Sequence, residues 1–164
     1  METLEREPLA VWLNLVQAQT VVAEALEDRL QASHGLSLPE HEVLVRLYSE
    51  PSRRLRMHVL AELLLLSRSG ATRLVERLVE RGLLTRGAAT SDRRVIYAVL
   101  TDEGARIVED SFPEFDRAVG EVFAAHLTSN ELASLRRMLR KVLAGNGAWE
   151  DQRCNTVVPT RASA

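Results

Sequence analysis

The sequence predicts a mainly α-helical protein that carries one small β-hairpin. Apolar residues recur with a helical period from Leu9 to Leu30, over about six turns. Only two short segments have the character of strands, 85–88 and 95–100, and a polar turn joins them. Such a hairpin is marginal alone and must lean on the helices. Alternate residues of its second strand should form the half-buried face: Val95, Tyr97 and Val99.

Three helical segments lie between the first helix and the hairpin. The earliest starts at Ser37, where the hydroxyl of Ser37 and the carboxylate of Glu40 form a capping box. A short helix follows over 57–65. Ser67 can cap the next helix, which has an apolar stripe on one side and ends at Gly82. A helix pair, a third helix and a hairpin in this order predict a winged helix-turn-helix.

The remaining sequence up to residue 145 is also predicted to be helical. Thr101 begins a helix with acids in its first turn, and Pro113 should kink or break it. Thr128 and Glu131 form a second capping box. Apolar residues then recur at spacings of three and four, which favours a seam against another helix.

We therefore expect a single domain over residues 1–145. Its DNA-binding part would cover about 37–100, and dimerisation helices would occupy 8–34 and 102–144. Residues 146–164 lack any period and are expected to form a flexible tail.

Composition narrows the class of protein. With 46% apolar and 27% charged residues the chain can bury one core. No unbroken apolar run approaches the roughly 18 residues of a membrane span, and residues 1–8 are acidic, unlike a secretory signal. The single cysteine, Cys154, excludes an internal disulfide. We expect a cytoplasmic protein in which Cys154 has no redox role.

Positive charge is concentrated in one segment. Residues 53–94 hold ten Arg and four acids, a balance of +6, whereas the whole chain carries −2. Basic charge gathered into one part of an acidic protein is typical of a surface that binds a polyanion.

The third helix of such a fold fits the major groove of DNA, where its outward residues reach base edges. Here these residues are Arg68, Ser69, Thr72, Arg73 and Arg77. At the hairpin tip, Arg93 and Arg94 could enter the minor groove, with Asp92 fixing the turn.

Two other interpretations fit the same residues. The helix face could simply be solvated, with Glu76 and Glu80 as partners for its arginines. Alternatively, the basic helix could bind an acidic protein, as a winged-helix protein-interaction module. A protein partner, however, would favour apolar or aromatic anchors at the hairpin tip rather than arginines.

Five segments resemble the MarR (multiple-antibiotic-resistance regulator) family of bacterial transcription factors. They occur in the family's order and spacing: LPEHEVL at 38–44, LAEL at 60–63, TRLVERL at 72–78, RGLLTR at 81–86, and DRR at 92–94 ahead of Leu100-Thr101. The resemblance covers about residues 9–144. It implies that Thr72 and Arg73 contact the groove or phosphates, that Arg86 contacts a phosphate, and that Arg94 is a minor-groove finger braced by Asp92.

The first and last helices carry apolar stripes that a core of this size cannot cover, which predicts a homodimer on a pseudo-palindromic operator. The residues expected at the interface are Leu9, Leu13, Leu132, Leu135, Leu139 and Val142.

The resemblance also implies a repressor that a small aromatic or phenolic anion releases from DNA. Residues loosely similar to those of the family's urate-responsive subgroup are Trp12, Glu42, Arg73 and Arg86. Glu42 stands where that subgroup has Asp, and Trp12 could equally be an interface aromatic.

Neither metal binding nor catalysis is expected. The histidines, His34, His41, His58 and His126, lack the spacing of a zinc site. The sequence contains no Gly-rich phosphate loop, nucleophile elbow or paired carboxylates on one helix face. We therefore expect no enzyme activity and no cofactor.

Overall fold

The computed structural model describes residues 6–88 and 96–147. Within them the helices are α1 Arg6–His34, α2 Leu38–Ser49, α3 Met57–Leu63, α4 Arg68–Glu80, α5 Asp102–Val122 and α6 Ser129–Gly145. The strands are β1 Arg54–Arg56, β2 Leu84–Ala88 and β3 Ile96–Leu100, and a single 3-10 turn, Ala124–His126, precedes α6. The prediction of a mainly α-helical fold with a small sheet is confirmed.

The sheet has three strands, in the antiparallel order β1-β3-β2. The prediction of only two strands was therefore wrong. β1 is three residues long, and it pairs with β3 through Arg54 opposite Val99 and Arg56 opposite Tyr97. A strand this short shows no alternation in the sequence, because its pairing depends on a partner more than 40 residues away.

The face of β3 that packs on the helices also differs from the prediction. Ala98 and Leu100 are buried, at 0% and 6% exposure, whereas Tyr97 and Val99 are only half-buried on the opposite face. Val95 lies outside the described residues. Every residue from 96 to 100 is apolar or aromatic, so alternation alone could not select the inner face.

The predicted helix ends are confirmed. Capping boxes form at Ser37 with Glu40 and at Thr128 with Glu131, and the Ser67 side chain caps α4. After α4, Gly82 adopts a φ of 74°. Its N–H donates to the Val79 carbonyl, and the next N–H donates to the Leu78 carbonyl, each at 2.9 Å. This Schellman motif needs a left-handed residue, which glycine supplies without strain.

Pro113, which was predicted to kink or break α5, does not break it. The helix is continuous from Asp102 to Val122. A proline inside a helix removes one backbone hydrogen bond, at a cost of about 3 kcal/mol. Buried residues on both sides of Pro113, among them Val108 and Ala118, hold α5 against the rest of the fold, and their packing offsets this cost.

One core joins α2, α3, α4, α5 and the sheet. Its members are apolar and almost fully buried; they include Val43, Leu44, Leu47, Leu60, Leu74, Val75, Leu78, Leu84, Ala98, Leu100 and Val108. Three of these side chains, Leu74, Val75 and Leu78, come from one side of α4, and Leu84 comes from β2, the strand that follows it. The opposite side of α4 therefore faces solvent.

Two helices extend beyond this core. Residues 7–21 of α1 are exposed, and only the later turns of this helix pack on α5. α6 has no buried residue. Leu9, Trp12 and Leu13 are 60%, 59% and 50% exposed. By length and composition alone α1 could cross a membrane. Polar residues interrupt residues 8–23, so this helix contains no unbroken apolar run of that length, but the same residues include no charged side chain.

A deeply buried histidine, His41, lies where α2 packs on α5. It lies on α2, is 2% exposed, and packs on Phe115 of α5 with 4.5 Å between ring centroids. Its Nε2 has no hydrogen-bond partner among the described residues. Burial, and to a lesser degree the charge of nearby His34, lowers the pKa of His41 to about 4.

We expect acid to destabilise the fold through His41. Its pKa of about 4 in the folded protein lies below the ordinary 6.5. The stability from neutral His41 is therefore complete above pH 6.5 and is lost as the pH falls toward 4. Between pH 7 and pH 5 the loss should be about 2 kcal/mol, or about 4–8 °C in Tm.

The measurement is thermal unfolding at both pH values. His41→Leu should flatten the difference between them, whereas His58→Gln, at an exposed histidine, should leave it unchanged. An equal drop in Tm for His41→Leu and the unsubstituted protein would contradict the assignment.

Candidate nucleic-acid interface

The outward side of α4 carries the residues predicted to read DNA. Arg68, Ser69, Arg73 and Arg77 are exposed, and Thr72 is half-buried because its hydroxyl donates to the Arg68 carbonyl at 2.8 Å. The N-terminus of the helix is fixed by Ser67, whose Oγ accepts from the Gly70 N–H at 3.1 Å. The backbone therefore presents this side of α4 rigidly to solvent.

Arg68 and Arg73 are the arginines of α4 that have no acidic partner among the described residues. In residues 6–88 and 96–147 neither guanidinium forms an ion pair or hydrogen bond with an acid. An exposed arginine without a carboxylate can bind a phosphate or a guanine edge without first giving up an internal partner.

Arg77 has an internal partner that the sequence did not reveal. Its Nε lies 3.4 Å from Oε1 of Glu40, and Arg81 Nη1 lies 3.3 Å from Oε2 of the same carboxylate. The Glu40 side chain is only 9% exposed, whereas that of Arg77 is 56% exposed. Arg77 therefore links α4 to the N-terminus of α2, and its other nitrogens still face solvent.

Glu40 joins three groups in one place. Besides the two arginines, its carboxylate accepts the Ser37 backbone N–H at 2.9 Å. Burial alone would raise the pKa of Glu40, but the hydrogen bonds from Ser37 and Arg77 and the charge of Arg81 outweigh it and hold the pKa below its usual value. Sequence reasoning missed this link because the capping box already explained Glu40.

We expect Glu40→Gln to destabilise the protein by about 1–3 kcal/mol, because two arginines would then face a neutral amide in a buried place. Since the pKa of Glu40 is lowered, its contribution is present above the ordinary value of 4.5 and is lost as the pH falls through the folded value. Urea unfolding at pH 7 measures the effect.

The control for Glu40→Gln is Glu103→Gln in the first turn of α5. Glu103 pairs with Arg106 at 2.9 Å, and both side chains are more than half exposed. An exposed pair of this kind should change stability by less than about 0.5 kcal/mol. Equal urea midpoints for the two variants would show that Glu40 does not hold α4 in place.

Arg86 lies on β2, close to α4. Its Nη2 donates to Glu76 of α4 at 3.0 Å, and both side chains are about half exposed. This pair ties the hairpin to the outward side of α4. Asp92, Arg93 and Arg94, predicted at the hairpin tip, lie outside the described residues.

The four residues suggested for an effector lie on separate elements. Trp12 is on the exposed part of α1, Glu42 pairs with Arg46, and Arg86 pairs with Glu76. Among the described residues, no hydrogen bond or ion pair joins any two of Trp12, Glu42, Arg73 and Arg86. Trp12 and Arg73 are both exposed within one copy of the chain.

Metal-ligating side chains are not grouped in the part of the chain that the structure describes. No set of three or more His, Cys, Asp or Glu residues there could hold an ion. His34 instead lies 2.9 Å from Glu114 of α5. Cys154 falls outside the described residues.

Comparison with known proteins assigns this architecture to a family. A family model described as MarR family matches residues 34–95. The HTH-type transcriptional regulator MhqR of Bacillus subtilis is 31% identical over 139 residues, which cover 85% of this chain and 93% of MhqR.

Two solved structures share the fold and part of the sequence. Sco3205, a MarR family transcriptional regulator from Streptomyces coelicolor in complex with DNA, is 32% identical with a TM-score of 0.83, covering 88% of this chain and 91% of that one. CouR from Rhodococcus jostii RHA1, bound to p-coumaroyl-CoA, is 28% identical with a TM-score of 0.70, covering 80% and 90%.

Proposed function

The chain belongs to the MarR family of DNA-binding transcriptional regulators, and on that premise we propose that it is a homodimeric repressor that binds a pseudo-palindromic operator. The observation that carries the proposal is the outward side of α4, where Arg68 and Arg73 have no carboxylate partner in the described residues. Together with Thr72 and Arg77 they would read one half-site. Arg86 and the tip residues Asp92, Arg93 and Arg94 would contact the adjacent backbone and minor groove.

A second copy of the chain would cover the apolar surface of α1 and α6. α6 is capped at both ends and has a regular amphipathic pattern, yet none of its residues is buried within the protomer. An amphipathic helix of this kind is stable in water only when its apolar stripe is covered. A C2 dimer would place two copies of α4 about 34 Å apart, the spacing of successive major grooves.

Release by a small aromatic anion is the remaining part of the proposal. CouR, which shares the fold, was solved with p-coumaroyl-CoA, an aromatic acyl thioester. In this chain Trp12 would supply an aromatic wall, and Arg73 and Arg86 would supply cations for a carboxylate or phenolate. An anion that occupies these arginines would compete directly with phosphate.

The effector is tested with the protein bound to duplex DNA from upstream of its own gene. Urate, simple aromatic carboxylates and phenols are added in an electrophoretic shift experiment, with an aliphatic carboxylate as control. We expect an aromatic anion to release the DNA and the aliphatic acid to leave it bound. Full retention of the complex with every aromatic compound would remove the effector from the proposal but leave DNA binding standing.

A further inference from the structure

A cluster of two arginines and a tyrosine lies on the outer face of the sheet. The guanidinium carbons of Arg54 and Arg56 lie 5.1 Å and 5.9 Å from the centroid of the Tyr97 ring. Arg56 Nε also donates to the Tyr97 hydroxyl oxygen at 3.3 Å. We call these three residues the sheet-face cluster.

The register of the strands places all three residues on one side. Arg56 pairs with Tyr97 across β1 and β3, and Arg54 is two residues from Arg56. Gly87 of β2 is the other partner of Tyr97, so that strand places no side chain directly opposite the ring. The opposite side of the sheet carries Ala98 and Leu100 and packs on the helices.

The sheet-face cluster carries two positive charges that no nearby acid neutralises among the described residues. The strands β1, β2 and β3 contain no Asp or Glu, and neither Arg54 nor Arg56 has an acidic partner within the described ranges. Cation–π contact offsets only part of the repulsion between two guanidiniums that share one ring. The Tyr97 hydroxyl accepts from Arg56 and keeps its own proton for an acceptor. The cluster therefore offers donors and positive charge to an anion.

We propose that the sheet-face cluster binds duplex phosphates next to the hairpin, as a second basic contact separate from α4. The inference rests on the proposed binding of DNA. β2 and β3 are paired as far as Ala88 opposite Ile96, so Tyr97 lies in the stem of the hairpin, one residue inside its last described pair. When the tip enters a minor groove, the phosphates that border the groove lie beside this stem. The cluster occupies an open sheet face, which suits an extended backbone better than a small anion.

The cluster should affect affinity without affecting sequence preference, because phosphates are the same at every base step. The double variant Arg54→Ala/Arg56→Ala is compared with the unsubstituted protein on operator and on unrelated duplex, over a range of salt concentrations. Because the proposed dimer carries four of these arginines, we expect binding to both duplexes to weaken at least about tenfold, and the slope of log affinity against log salt to fall by about 4.

Two further variants distinguish a direct phosphate contact by the cluster from an effect of the protein's net charge. Arg136→Ala/Arg137→Ala removes the same net charge from exposed positions on α6 and should leave the salt slope unchanged. Arg54→Lys/Arg56→Lys keeps the charge and should retain most of the slope, while it loses the planar stacking on Tyr97. Far-ultraviolet circular dichroism checks that each variant is folded.

An unchanged salt slope for Arg54→Ala/Arg56→Ala, with normal operator binding by the unsubstituted protein, would overturn the inference and leave the proposed function intact. The same would follow if Arg136→Ala/Arg137→Ala lowered the slope equally, because general charge would then explain the effect. If the unsubstituted protein bound no duplex at all, the proposed function itself would fail.

Discussion

Leu135→Glu should split the proposed dimer into monomers and weaken operator binding by at least about a hundredfold. Leu135 belongs to the apolar stripe of α6, which also includes Leu132, Leu139 and Val142. Burying a carboxylate in such a seam costs several kcal/mol, so the two copies would separate. A monomer reads one half-site only, and the loss of linked binding is worth about two to four orders of magnitude.

Light scattering and operator binding measure this effect together. The proposed dimer would have twice the chain mass of 18.3 kDa, and Leu135→Glu should show the smaller value at micromolar concentration. Ala133→Glu is the matched control, because Ala133 is exposed on the other side of the same helix. Since α6 has no buried residue within the protomer, the rest of the fold should survive both changes. A dimer of Leu135→Glu with normal affinity would exclude α6 from the interface.

Arg73→Ala should be the most damaging single substitution on the outward side of α4. Arg73 is exposed and has no acidic partner among the described residues, so its removal should leave stability nearly unchanged. Loss of a base contact costs about 1–3 kcal/mol for each half-site. Because a dimer uses two copies of Arg73, the total should approach about two to four orders of magnitude in affinity.

The pattern of the loss identifies what Arg73 contacts. If Arg73 reads a base, Arg73→Ala should relax discrimination at one position in each half-site; if it holds a phosphate, all sequences should weaken equally. Arg106→Ala is the control, since Arg106 is an exposed arginine on α5 that pairs with Glu103. Unchanged affinity for Arg73→Ala would contradict the assignment of α4 as the reading helix.

Local chemistry explains which parts of the fold could be predicted. The starts of α2, α4 and α6 and the end of α4 depend on residues within one turn, such as Ser67 and Gly82, and all were predicted correctly. β1 was missed because its three residues become a strand only by pairing with β3. The sequence likewise left open whether Pro113 kinks or breaks α5, since packing of α5 decides the outcome.

The residues of the candidate site also fall into those that the sequence could place and those that it could not. Periodicity was enough to place Arg68 and Arg73 on the outward side of α4, because one side of an amphipathic helix must face the core. It could not show that Arg77 shares Glu40 with Arg81, or that Arg56 meets Tyr97, since these contacts join segments about 40 residues apart. The effector residues Trp12, Glu42, Arg73 and Arg86 remain a prediction.

Protection mapping on the DNA upstream of the gene tests the central claim most directly. The claim is that arginines on α4 and the hairpin, presented twice by a dimer, bind duplex DNA at a defined site. We predict two protected half-sites, centred about one helical turn apart, that disappear with Arg73→Ala and fade with rising salt. Absence of any protected sequence at low ionic strength, with folded protein in excess, would contradict the account.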